Sequence, residues 1–207
     1  MNYRTHIVSS LSEIGREPWD ALVQAQDDPN PFLSYAFLHA LHASGSAAPE
    51  TGWQPQYVVL YDGERLAAAL PLYVKGHSYG EYVFDWAWAD AYGRHGLDYY
   101  PKLLSAIPFT PVAGPRLMAV DAAARAPLLV VLVATQGAAE VSSTHVLFPP
   151  EEQARQLQEA GFMLRSGVQF HWLNPGYKDF DEFLATLEQK KRKNIRAERR
   201  KVREGGV

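Results

Sequence analysis

Apolar positions along the chain fall into short clusters, some with the period of a helix and some alternating as in a strand. "HIVSSL" reads as a short strand running into a helix, with Ser10 or Ser12 placed to cap it and Trp19 and Leu22 on its inner face. "DDPNPF" (Asp27–Phe32) is a turn. "SYAFLHALHASG" (Ser34–Gly45) has helical spacing: Ser34 caps it, Phe37, Leu38 and Leu41 form one stripe, and Gly45 ends it. "QYVVLYDGERLAAALPLYVKG" (Gln56–Gly76) predicts two strands joined at Asp62-Gly63, a strong hairpin signal.

Further on, "YYPKLLSAIPFTPVAGPRLMAV" (Tyr99–Val120) predicts a short helical piece, a loop punctuated by Pro and Gly, and a strand at "RLMAV". "DAAARAPLLVVLVATQGAAE" is mostly a buried helix that Pro127 limits or kinks. "STHVLFP" is a strand, "PEEQARQLQEAG" a helix with acids in its first turn, and "FMLRSGVQFHWLN" a last long strand. The final segment closes the chain as a helix, with Asp179 and Glu182 in a capping-box arrangement. This order predicts an α/β (α+β) fold, a mixed twisted sheet flanked by helices, in which strands joined through helices run parallel.

Composition narrows the picture. The chain has 207 residues, 47% of them hydrophobic, enough to bury a substantial core. It has no Cys, which excludes disulfides and thiolate chemistry. The start lacks a basic stretch followed by an apolar one, and "APLLVVLVA" is about half of what a membrane span needs, so a cytoplasmic protein without a membrane span is expected. The net charge of −3 hides an asymmetry: residues 178–207 carry +4 and the rest −7. Residues 1–177 are therefore expected to form one domain and 178–207 a separate basic helix. "KKRKNIRAERRKVR" holds nine Lys/Arg and one Glu, dense enough to bind phosphates through Lys190, Lys191, Arg192, Lys193 and Arg196. A solvated helix surface is the plainer alternative. No aromatic interleaves, so base stacking from this segment is not expected.

The densest candidate chemistry lies in "KGHSYGEYVFDWAWADAY" (Lys75–Tyr92). Glu81, Asp85 and Asp90 stand among six aromatics. If the segment is extended, Glu81, Val83 and Asp85 share one face and Tyr82, Phe84 and Trp86 the other. A carboxylate among rings loses hydration, its pKa rises, and it becomes a base for an amine or alcohol. An isolated acid of this kind more often caps a turn in water; the cluster favours a concave site. "GHSYG" also matches the G-x-S-x-G elbow of serine hydrolases, with Ser78 as nucleophile and Asp90 or Asp98 with His145 or His171 as partners. The aromatics that follow are poor helix formers, which counts against an elbow. His39 and His42 have no carboxylate at ligand spacing, so no metal site is expected, and neither a Walker pattern nor G-x-G-x-x-G is present.

These motifs, together with Tyr99–Leu117, "SSTHVLF" and "FHWLNPGYKDFDEFLATLEQKKRKNIRAERR", resemble a bacterial family of predicted N-acyltransferases, the Fem-like or peptidoglycan biosynthesis/recognition family of the GNAT superfamily. The resemblance runs from "NPFLSYAFLHAL" onward. It implies a GNAT-like acyl-CoA N-acyltransferase fold and transfer of an acyl group to an amine, with acyl-CoA or aminoacyl-tRNA as donor and a cell-wall precursor as acceptor. It also implies that the basic helix opens a second GNAT-like half, a partner absent from these 207 residues. The Q/R-x-x-G-x-G/A loop that cradles coenzyme A pyrophosphate in GNAT enzymes has no complete match. On this reading Glu81 or Asp85 is the base. Tyr92, Tyr99 and Lys102 are donors or substrate contacts, Arg116 holds a phosphate or carboxylate, and His77, Ser78, Tyr79, Trp88 and Asp90 line the pocket. A half that only binds substrate, and a hydrolase using Ser78, are the alternatives.

Overall fold

The computed structural model describes residues 3–206. The chain divides into two compact units, Met1–Leu164 and Arg165–Val207. Among the described residues the first holds eight strands and five α-helices in the order β1 (Arg4–Val8), α1 (Arg16–Gln24), α2 (Tyr35–Ala43), β2 (Trp53–Pro55), β3 (Tyr57–Asp62), β4 (Arg65–Leu70), β5 (Tyr73–Lys75), α3 (Trp86–Arg94), β6 (Lys102–Ser105), β7 (Met118–Ala119), α4 (Ala122–Ala138), β8 (Thr144–Val146) and α5 (Glu151–Glu159). The strands make two four-stranded sheets, β1-β3-β4-β7 and β2-β5-β6-β8. All pairs are antiparallel except β6 and β8, which are parallel and joined through α4. That is the mixed α/β class the sequence predicts.

Alternation along β3 shows why both sheet faces are covered. Tyr57 and Val59 enter one core with Trp19, Leu22 and Val23 of α1 and Leu38 of α2. Val58 and Leu60 enter a second core with Ala124, Leu128 and Leu132 of α4 and Leu157 of α5. A strand buried on both sides is apolar at every position, hence the unbroken "YVVLY". The end strand β7 has only two ladder residues, and side-chain amides complete its bonding. Gln26 accepts from Ala119 N and donates to Ala119 O, while Gln153 accepts from Arg116 N and Leu117 N at 2.9 Å each. Both glutamines are buried, and each satisfies backbone that would otherwise lie unpaired.

Capping follows the sequence. Ser10 and Glu13 form a capping box, Ser34 caps α2, and Asp121 caps α4. Three expectations about strands fail. Tyr73–Lys75 forms a third strand after the hairpin, in the other sheet, because Pro71 separates it from β4. The helical piece expected after Tyr99 is strand β6, paired between β5 and β8. The long strand expected over 162–174 joins no ladder among the described residues, and Phe170 is 98% exposed. Strand propensity has effect only where a neighbouring strand supplies the bonds.

The second unit contains two helices where the sequence predicts one: α6 (Phe180–Ala185), capped by Asp179, and α7 (Gln189–Glu204). Arg196 pairs with Asp181 at 3.3 Å, Arg199 stacks on Phe180, and Arg192 donates to Ala185 O. Lys190, Lys191, Lys193 and Arg196 are exposed, while Arg192 is half-buried. No helix among the described residues is long and apolar enough to cross a membrane.

Candidate active site

Strand register assembles the site. Lys75 of β5 stands opposite Trp53 of β2 on one side and Lys102 of β6 on the other. Directly paired residues share a face, so three strands present Trp53, Lys75 and Lys102 as one row. Two ammonium groups side by side in a core repel each other and need anions. The turn that leaves β5 supplies them. Residues 76–85 fold over the row with Ser78, Glu81 and Asp85 turned inward. Lys102 Nζ donates to Glu81 Oε2 at 2.8 Å, to Asp85 Oδ2 at 2.5 Å and to Ser78 Oγ at 3.0 Å, spending all three of its protons. Ser78 Oγ lies 2.8 Å from the Tyr100 hydroxyl. Tyr99 bonds Asp85 and reaches His145 Nε2 at 3.4 Å; Ser143 Oγ lies 2.9 Å from the same nitrogen.

The two carboxylates, both buried to within 3% of complete, differ in kind. Asp85 is raised by burial, but the hydrogen bond and charge of Lys102, with help from His145 and Tyr99, outweigh it and leave the group below its ordinary value. Glu81 is raised, because burial exceeds the attraction of Lys102 and Lys75. Its Oε1 is buried with no hydrogen-bond partner among the described residues. Two neighbouring acids pushed in opposite directions divide the labour, one held ionised and the other made more ready to take a proton. Lys75 donates to Tyr79 O at 3.2 Å, and its ammonium sits 3.7 Å from the centroid of the Trp53 ring. Burial lowers it to about 8; Glu81 opposes that shift and Lys102 adds to it. Tyr99 is raised, by burial and then by Asp85.

Of the residues singled out in the sequence, the structure brings together Glu81, Asp85, Ser78, Tyr99 and Lys102. Tyr92 packs edge-on against Tyr99, with ring centroids 5.2 Å apart. Tyr79 carries the carbonyl that holds Lys75, while its ring is exposed against Trp86 and His77. Trp88 is 46% exposed on α3. Asp90 lies on the same helix, exposed and paired with Arg94, so it does not reach the cluster. Arg116 is buried elsewhere, donating to Gly114 O at 2.9 Å and Val112 O at 2.7 Å, and burial lowers it to about 10. It fastens a loop to itself rather than facing a ligand.

The segment is not a strand: α3 begins at Trp86 and the residues before it form turns. The alternation of burial survives, with Glu81 and Asp85 in and Tyr82, Phe84 and Trp86 out. The hydrolase geometry is absent. β5 ends at Lys75 and the next helix starts eleven positions later, so Ser78 stands on no strand-to-helix elbow. Its partners are Lys102 and Tyr100; Lys102, bonded to two carboxylates, cannot serve it as a base. His145 is engaged with Tyr99 and Ser143. Asp98 is exposed, and His171 bonds Gln169 in the second unit. Sequence reasoning missed Lys75, Trp53 and Tyr100. The signal for Lys75 was its place at the inward position two residues after Tyr73 in a strand.

Among the described residues no group of three or more His, Cys, Asp or Glu is arranged to hold a metal ion. A crevice of about 350 Å³ between α4 and α5, lined by Ala122, Arg125, Leu129 and Gln156 among others, includes none of the cluster's residues.

A mixed α/β protein with a buried lysine bridging two carboxylates beneath an aromatic turn is the class that fold and site define. The family model described as peptidoglycan biosynthesis/recognition, FemAB-like, matches residues 10–207. The chain belongs to the FemAB-like family. No curated protein matches the sequence. Among solved structures, the apo aminoglycoside 6'-N-acetyltransferase AAC(6')-Ig from Acinetobacter haemolyticus aligns at 12% identity and a TM-score of 0.43, covering 85% of this chain and 100% of that one.

Proposed function

We propose that this chain is an N-acyltransferase that moves an acyl or aminoacyl group from a CoA thioester or an aminoacyl-tRNA ester to the amine of a cell-wall precursor in the cytoplasm. The observation that carries the reading is Glu81: a buried carboxyl raised above its ordinary range, with one oxygen bound to Lys102 and the other unpartnered. Such a group can accept the proton an attacking amine must lose. Lys102 keeps Asp85 ionised and fixes Glu81 Oε2, so the free Oε1 is where the proton goes. The exposed rings of Tyr79, Tyr82, Phe84, Trp86 and Trp88 on the covering turn and on α3 offer apolar surface to an incoming substrate. The family membership supports the reaction class, and the basic helix fits a phosphate-bearing donor.

The test offers labelled acetyl-CoA and labelled alanyl-tRNA in parallel to a cell-wall precursor peptide bearing a free amine. Transfer from one donor is expected; transfer from neither would sink the reading. A second reading has one observation in its favour. Lys102, Glu81 and Asp85 are together almost fully closed to solvent, as in a structural ion-pair cluster of a domain that only binds. It predicts donor or acceptor binding that survives E81Q unchanged, with no turnover.

A further inference from the structure

An amine that displaces a thiol or an alcohol needs a second proton transfer, because the departing group leaves as a strong base. This inference rests on the acyl-transfer reading above. Lys102 cannot supply that proton, since its three N–H groups are bound to Glu81, Asp85 and Ser78. Tyr99 is held on Asp85, and Ser78 is shared between Lys102 and Tyr100. One ammonium in the row remains. Lys75 stands directly across the sheet from Lys102, is fully buried, and has one hydrogen-bond acceptor among the described residues, the Tyr79 carbonyl. The Trp53 ring at 3.7 Å stabilises the cation without accepting a proton. Two of its N–H donors are therefore unspent, and Glu81, whose Oε1 is also unpartnered, is bonded to the neighbouring Lys102.

We propose that Lys75 is the general acid of this site. The amine adds to the acyl carbonyl and loses its proton to Glu81 Oε1. The tetrahedral adduct then breaks its carbon–sulfur or carbon–oxygen bond, and the departing atom takes a proton from the Lys75 ammonium. The products are the amide and a neutral thiol or alcohol, with Lys75 neutral and Glu81 protonated. Release of the Glu81 proton to solvent and uptake of one by Lys75 restore both, so no net proton or other reactant is consumed. Lys75 titrates to about 8 in its buried place, so it is mostly protonated at neutral pH yet able to release the proton.

The experiment compares the wild type with K75M and K75R in the full chain, using whichever of acetyl-CoA and alanyl-tRNA the wild type accepts, beside 4-nitrophenyl thioacetate, whose thiolate leaves without protonation. K75M is expected to lose about 10²–10⁴-fold in kcat with the natural leaving group, KM holding, and under about threefold with the aryl thioester. K75R keeps the charge but not the releasable proton, and should be slow in the same selective way. The wild-type rate should fall as pH rises through about 8, and this limb should be lost in K75M. Equal losses with both leaving groups, or a wild-type rate flat from pH 7 to 10, would overturn the assignment and leave the transferase reading standing. Absence of wild-type transfer from any donor would overturn both. If K75M fails to fold, K75R alone decides by the same selectivity.

Discussion

Lys102 shows what a single buried ammonium does when two carboxylates share it. Removing it leaves Glu81 and Asp85 dehydrated and without a counter-charge on that side. K102M should therefore destabilise the protein by about 3–5 kcal/mol, measured by urea unfolding; a loss under about 1 kcal/mol would mean the acids swing out to water. His42 gives a pH signature of a different kind. Its Nε2 lies 3.3 Å from both the Tyr57 and Tyr73 hydroxyls, and burial, with some help from His39, lowers it to about 4. The fold thus favours neutral His42. That stability is fully present above about 6.5 and is lost as pH falls through about 4. Thermal midpoints should drop over this window in the wild type and less in H42Q; equal drops would remove His42 as a cause. At this scale the sequence revealed the inward acids, because charged groups between rings are conspicuous. It hid Lys75 and Trp53, whose meeting depends on register between strands 22 residues apart in the chain.

The turn over 76–85 covers the buried lysine row. Ser78, Glu81 and Asp85 fasten it to β6, and Gly80 lets it bend, with φ of +80°. A Cβ at Gly80 would lie 2.6 Å from the Phe109 ring. G80A should cost about 1–3 kcal/mol for the left-handed backbone alone, with the clash in addition, and should speed amide exchange in 76–85. Unchanged unfolding and exchange would show that the turn adapts freely. On the proposed acyl-transfer reading, a substrate reaches Glu81 and Lys75 only if this turn lifts. The helices and the Asp62–Gly63 hairpin were legible from caps and turn residues, which are local signals. The turn and α3 were not, since alternating aromatics mimic a strand, and only the sheet edges decide whether a strand has a partner. The same reason accounts for β6, read as helical, and for 162–174, which joins no ladder among the described residues.

On the scale of the whole chain, layering was legible from the order of strands and helices, which predicts a sheet flanked by helices. The charge asymmetry was legible too, and it resolves into a basic second unit with its lysines in water. If α7 binds a phosphate chain, tRNA affinity should fall steeply with salt, and a K190E/K191E/K193E variant should reduce the slope of log K against log salt by about 2–3 while leaving unfolding unchanged. An unaltered slope would assign the helix to solvent alone. The account as a whole stands on Glu81 as the proton acceptor in acyl transfer. Its most direct test is the turnover of E81Q against the wild type, with whichever donor the wild type accepts, alongside thermal unfolding of both. Loss of about 10²–10⁴-fold in kcat, with KM and the unfolding midpoint held, is the predicted result. Undiminished turnover by E81Q would contradict it.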